Sequence, residues 1–236
     1  MKPDFKKLIS KAYYDKEVFK RLKQNHNLQY NKVIDNIITK HFGDMKMKPR
    51  ILSRVEQNGY MTFERGQYNL NIIGVRSITR EANKFDDWLY VVYKDESDEW
   101  VQLKFQITTD PGLYHLQNPS RVEGTAILVA GQYRSSHKLG LHRGKYEALT
   151  QVGKVRVYRD NTKDRELDLE AETYQNGYFG INIHRSNATR ESTQVDKWSA
   201  GCQVFANPNE YDMFISLCKR SAEKWGDTFT YTLLED

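Results

Sequence analysis

Cysteine is scarce in this chain: there are two in 236 residues. A framework of disulfides, the device that holds many small secreted domains together, is thereby excluded, and each thiol has to be judged on its own surroundings. Long apolar runs are missing as well. No stretch approaches the roughly 20 residues that a membrane-crossing helix needs. The leading segment MKPDFKKLISKAYYDKEVF has no apolar central region and no small-residue cleavage site, so no secretory signal is expected. Lysines are plentiful, but no sustained basic stripe interleaved with aromatics occurs, and no nucleic acid partner is expected.

What is present describes a globular, strand-rich body. The hydrophobic share is 39% and the aromatic share 12%, with 15 tyrosines spread over many short alternating runs. Charge is uneven. Up to Lys48 there are twelve lysine and arginine side chains against five carboxylates, a local excess of +7, so the remainder carries −2 of the total +5. Residues 1–48 read as a basic helical appendage. Phe5, Leu8, Ile9, Ala12 and Tyr13 recur at helical spacing, and Val33, Ile34, Ile37, Ile38 and Phe42 repeat the pattern after a turn. An amphipathic hairpin with solvated lysines and an anchor for an anionic surface both fit that pattern.

Residues 49–236 form the second unit. Gln67–Val75, Trp88–Tyr93 and Glu99–Ile107 are strand candidates, with Asp95 to Asp98 as an acidic hairpin turn. Thr108-Thr109-Asp110-Pro111-Gly112 reads as a turn, Val122–Ala130 as a buried strand and Ala148–Tyr158 as a strand pair. Near the end, Asn207 caps a helix with Pro208 in its first position and Glu210 three residues after the cap. Its apolar face is Tyr211, Phe214, Ile215, Cys218, Ala222 and Trp225, which makes Cys218 a core residue. Gly226 ends the helix and Thr228–Leu234 closes as a strand.

The chemistry concentrates in Gly180–Phe205. Alternation from Tyr178 to His184 sends Phe179, Ile181 and Ile183 to one face and Gly180, Asn182 and His184 to the other. Fourteen residues separate His184 from Ser199-Ala200-Gly201-Cys202. A thiol attacks as thiolate, and a nearby imidazole is the usual base that makes one. A glycine before it permits a tight turn, and the Gly201 and Cys202 N–H groups are candidate donors to an oxyanion. Histidine before cysteine excludes the papain-like, NlpC-type and CHAP-type orders.

The order of histidine and Ser-x-Gly-Cys resembles the catalytic domain of L,D-transpeptidases, the YkuD-like family. The runs GYFGINIH, WSAGCQVF, ITTDPGLYHL and VYRDNTKD resemble a phage-associated branch of it, over about Asn71 to Leu234. The resemblance implies a mainly β fold, a sheet sandwich with one helix after the cysteine. It implies a cell-wall enzyme that needs no cofactor, with peptidoglycan stem peptides as partner and a thioester on Cys202. His184 is then the base, Gly201 and Cys202 the oxyanion donors, Ser199 part of the motif, and the Arg185 carbonyl the group that holds the histidine. Ala200 stands where the family usually has histidine, and Gln203 where many members have an aliphatic residue. Those departures favour hydrolysis of stem or crossbridge bonds, as in a phage endolysin, over transpeptidation. A non-catalytic wall-binding or virion protein is the alternative of another class. Without a signal, such an enzyme is expected to reach the wall from the cytoplasm of a bacterial host after release, or as a virion component.

The cluster His137, Lys138, His142, Arg143 and Lys145 reads as a basic loop and as a poor metal site. Arg134 and His142 are its candidate contacts to an acidic substrate, joined by Trp198 and Gln203 beside the cysteine. Asp160, Asp164 and Asp168 echo the spacing of a calcium loop, but Arg165 and Ala171 occupy positions where such loops carry glycine and glutamate.

Overall fold

The computed structural model describes residues 48–236, and the expected helices of the basic appendage lie outside the described residues apart from Lys48. The described chain is mainly β. In order it runs α1 (Arg50–Gln57), β1 (Asn71–Arg76), β2 (Asp87–Lys94), β3 (Trp100–Thr108), α2 (Leu113–Gln117), β4 (Thr125–Leu128), β5 (Gly131–His142) and β6 (Tyr146–Gln151). Then follow β7 (Val155–Asp160), a 3-10 turn, β8 (Gln175–Gly177), β9 (Ile183–Arg185), β10 (Gln203–Phe205), α3 (Pro208–Trp225) and β11 (Thr228–Glu235). No helix among the described residues is long and apolar enough to cross a membrane.

Eight strands close into a barrel in the order β1-β11-β5-β6-β9-β10-β3-β2, and β4, β7 and β8 form a separate small sheet. The sheet sandwich expected from the sequence is therefore not the arrangement seen. The reason is β5. Its residues include the cluster that reads as a basic loop, yet they form the longest strand of the barrel, 12 residues, bonded to β11 on one side and β6 on the other. That strand bridges two halves that would otherwise be open sheets.

Register separates an inner and an outer face. Pairings Ile72 with Tyr231 and with Val91, Leu89 with Phe105, Phe205 with Ile107, and Gln203 with Ile183 place these side chains inside. Gly74 is required there: a Cβ at that position would sit 2.0 Å from the Tyr231 hydroxyl oxygen. On the outside, Ile73, Val75 and Val92 are covered by Ile51, Leu52 and Val55 of α1, which is why β1 is buried on both faces. Each of those α1 side chains contributes about 1.5–3 kcal/mol by leaving water.

α3 begins as its sequence dictates. The Asn207 side chain accepts from the N–H groups of Asn209 and Glu210, and Tyr211 and Phe214 pack on Phe205, with ring centroids 5.4 and 5.1 Å away. Cys218 is fully buried on that face. Trp225 is not: it is 50% exposed and lies against Gly66 instead, with its indole N–H donating to the Gln67 carbonyl.

Candidate active site

His184 and Cys202 belong to neighbouring parallel strands. β9 pairs with β10 so that Val204 stands opposite His184, and Asn182 and Cys202 precede that pair by two residues each. Period-two alternation then places Asn182, His184, Cys202 and Val204 on the outer wall of the barrel, while Ile183 and Gln203 point inward. The thiol leans on the small apolar cluster of Phe85, Val195, Val204 and Ala206.

The histidine is held in one tautomer. Its Nδ1 lies 2.8 Å from the Arg185 carbonyl oxygen, which can only accept, so Nδ1 carries the proton and Nε2 is left with a lone pair. The Tyr146 hydroxyl closes a triangle, 3.2 Å from both Nδ1 and the Arg185 oxygen, and the Arg185 guanidinium covers the Tyr146 ring at 4.2 Å. Among the described residues Nε2 has no partner, although His184 is only 3% exposed. Among the described residues, Glu210 Oε2 is the one buried side-chain N or O atom without a partner, so His184 Nε2 opens to solvent.

A second imidazole lies over the first. His142 and His184 stack with centroids 4.0 Å apart and ring planes 27° from parallel. Burial, helped by the neighbouring His142, pushes the His184 pKa down to about 3, against a smaller opposing effect of the Arg185 carbonyl. His184 is therefore a neutral base at any physiological pH.

Cys202 is half-buried. Its Sγ donates to the Gly180 carbonyl at 3.3 Å and accepts from the Asn182 N–H at 3.5 Å. Burial raises the thiol to about 11, partly offset by the Asn182 N–H and by Arg143. The resting pair is thus a thiol and a neutral imidazole, not yet hydrogen-bonded to each other. Such contacts commonly tighten only when substrate arrives.

The turn into Cys202 is tightly specified. Ser199 is fully buried, and its hydroxyl donates to the Cys202 carbonyl at 2.8 Å while accepting from the Gly201 N–H at 3.1 Å. Gly201 has φ +115°, and a Cβ there would sit 2.2 Å from the Ala126 carbonyl oxygen. Behind the turn, the Gly112 N–H of the Thr108–Gly112 segment bonds the Ser199 carbonyl at 2.9 Å. The Gly201 N–H, expected as an oxyanion donor, is therefore occupied by Ser199, and the Cys202 N–H is the backbone donor left without an acceptor among the described residues.

Other sequence candidates separate. His142 is in the site. Trp198 is 40% exposed on the loop leading to Cys202. Gln203 is not a substrate contact: it is fully buried in the barrel, where its amide accepts from the Tyr231 hydroxyl at 2.7 Å and donates to the Gly201 carbonyl. Arg134 is exposed, lies eight residues before His142 on β5, and makes no contact with His142, His184 or Cys202 among the described residues. The calcium reading also fails. Asp160 accepts from the N–H and hydroxyl of Thr162 and from the Asp168 N–H, and Asp164 turns to the Glu166 N–H. The Asp160 and Asp164 carboxylates thus serve their own loop, and Asp168 joins it through its backbone N–H. No group of three or more metal-ligating side chains occurs among the described residues.

Asn182 and Tyr146 are not among the sequence candidates, and Arg143 appears there only as a member of the basic cluster. Asn182 shared a predicted face with His184, which was a usable signal. Tyr146 enters only through its cross-strand pairing with His142, which spacing along the chain does not reveal. A cleft of about 420 Å³ adjoins Tyr146 and Arg185, lined also by Lys145, Tyr211, Asp212 and Lys219. Cys202 does not line it, so it borders the support of the histidine and not the thiol.

No protein-family model matches the chain, and no curated protein matches it.

Proposed function

We propose that this chain is a cysteine acyl-transfer enzyme of the L,D-transpeptidase type that hydrolyses peptide bonds of peptidoglycan stems or crossbridges. The barrel with its flanking three-stranded sheet is, in this reading, its form of that family's fold. The observation that supports it is the locked tautomer of His184. With Nδ1–H tied to the Arg185 carbonyl, the Nε2 lone pair opens to solvent on the same outer wall as Cys202.

The steps follow from those positions. The Cys202 proton passes to His184 Nε2 as Sγ bonds to the substrate carbonyl carbon. The carbonyl oxygen takes the negative charge beside the Cys202 N–H. The carbon–nitrogen bond breaks, and the leaving amine takes the proton from Nε2, which leaves a thioester. Water then gives a proton to Nε2 and attacks the thioester, and the carboxylic acid departs as the thiol is restored. An amine in place of that water gives a crosslink.

Digestion of purified peptidoglycan, with mass spectrometry of the products, tests the reading. Shortened stems or cut crossbridges are expected, and they must vanish in Cys202→Ala and in His184→Ala. New crosslinks would make the chain a transpeptidase. Wall binding without any product would make it a binder and overturn the enzymatic reading.

A further inference from the structure

We propose that His142 and Arg143 form an anion-accepting corner beside Cys202, in which a neutral His142 donates its Nε2–H to the substrate and the Arg143 guanidinium supplies the charge. The ligand is an acyl substrate with a carboxylate close to the bond attacked. This rests on the reading of Cys202 as nucleophile and adds what the site selects.

The state of His142 follows from its neighbours one bond at a time. The Gln151 N–H donates to Asn182 Oδ1 at 2.9 Å, which fixes the Asn182 amide in one orientation. Its Nδ2 then faces His142 Nδ1 at 3.2 Å as a donor, so Nδ1 must be the acceptor. In the neutral ring the proton is on Nε2. Burial, with Arg143 next, holds the His142 pKa below its usual value and keeps that ring neutral. The same Asn182 donates its backbone N–H to Cys202 Sγ, so one residue fixes the position of both thiol and ring. His142 is 8% exposed, and among the described residues its Nε2 has no partner yet is not one of the unpaired buried atoms; it therefore reaches solvent. The stacked pair presents a lone pair from one ring and an N–H from the other.

Arg143 completes the corner. It forms the tip of the β5–β6 hairpin, between His142 and its cross-strand partner Tyr146, with φ +50°, a left-handed conformation that a non-glycine residue adopts at some cost. Its side chain is exposed and makes no ion pair or hydrogen bond among the described residues. Burial dominates the ionisation of Cys202, His184, His142 and Tyr146, and Arg143 is the cation that acts on all four. An unpaired guanidinium and a free imidazole N–H beside a nucleophile fit a carboxylate, which takes two such bonds at once.

Alkylation of Cys202 by iodoacetate and by iodoacetamide reads the corner without the natural substrate. The iodoacetate-to-iodoacetamide rate ratio of the intact chain is expected to exceed that of free cysteine by roughly ten- to hundredfold. Arg143→Gln and His142→Phe, which keeps a ring for the stack, should each lower the ratio about tenfold or more. His142→Gln, which restores a donor near Nε2, should recover much of it. Nitrogen-15 spectra should show Nε2-protonated His142 in the native chain and the opposite tautomer in Asn182→Asp. A native ratio equal to that of free cysteine, a ratio indifferent to both substitutions, or a native His142 protonated on Nδ1 overturns the proposal. Wall cleavage without the selectivity removes the corner and leaves the nucleophile standing. Selectivity without wall cleavage does the reverse.

Discussion

Gly201→Ala tests the cysteine turn most severely. The added Cβ would start 2.2 Å from the Ala126 carbonyl oxygen, whereas contacts below 3.0 Å essentially never occur, so backbone must separate by at least 0.8 Å. The obstacle is main chain of β4 and cannot rotate away. The φ of +115° adds a strain of about 1–3 kcal/mol for any residue with a side chain. Because Gly201 is bonded through its N–H to Ser199 and precedes the nucleophile, the shift falls on Cys202 itself. A displacement near 1 Å costs on the order of a hundredfold in rate when the nucleophile is misplaced. The expected result is a fall of ~2–4 kcal/mol in unfolding free energy by denaturant titration, combining strain and clash, with product formation from walls down about a hundredfold or more. Gly59→Ala is the comparison: φ is +76° there, nothing lies within 4 Å of the new Cβ, and only about 1 kcal/mol should be lost. If Gly201→Ala matched Gly59→Ala in stability and kept native turnover, the turn would not be what aims the thiol.

Three further expectations follow from particular contacts. With His184 pushed down to about 3 and Cys202 up to about 11, neither group changes charge near neutrality, so kcat/KM should stay flat from about pH 5 to 9 and fall only as His184 gains a proton near pH 3; an acidic limb near 6.5 would contradict the burial of that ring. Ser199→Ala strips both the Gly201 N–H and the Cys202 carbonyl of their partner in a fully buried place, which should cost about 2–4 kcal/mol by thermal or denaturant unfolding and lower turnover with it. Glu210 is raised to about 7, chiefly by burial, so its contribution to stability is present below the ordinary carboxylate range and lost as pH rises through 7. Glu210→Gln should therefore unfold at a higher temperature than the native chain at pH 8 and show no such advantage at pH 5; equal shifts at both would refute the assignment.

The parts of the fold that were legible are those whose pattern is local. The cap at Asn207, the stop at Gly226 and the alternation of Leu89, Val91, Leu103 and Phe105 each declare themselves within a few residues. β5 did not, because its inward positions include polar groups. Ser136 and His137 are buried, and they are satisfied by each other and by the Ile181 carbonyl, 2.9 Å from His137 Nε2. Those partners are not local in sequence, so a buried strand read as a basic loop. Gln203 misled for the same reason: its partner is Tyr231 across the barrel. His184, Ser199, Gly201 and Cys202 could be picked out because their spacing is a motif, while the place of Tyr146 and the lock on Asn182 arise only when β6 and β9 come together.

The central claim is that Cys202 forms a covalent acyl intermediate with His184 as its base. Acid quenching of the enzyme during turnover of stem-peptide fragments, followed by intact-mass and peptide mass spectrometry, reads it directly. The account predicts an acyl adduct confined to the peptide that carries Cys202, absent in Cys202→Ala and strongly reduced in His184→Ala. Product released by the Cys202→Ala variant at the native rate, or turnover with no adduct under any quench, would contradict it.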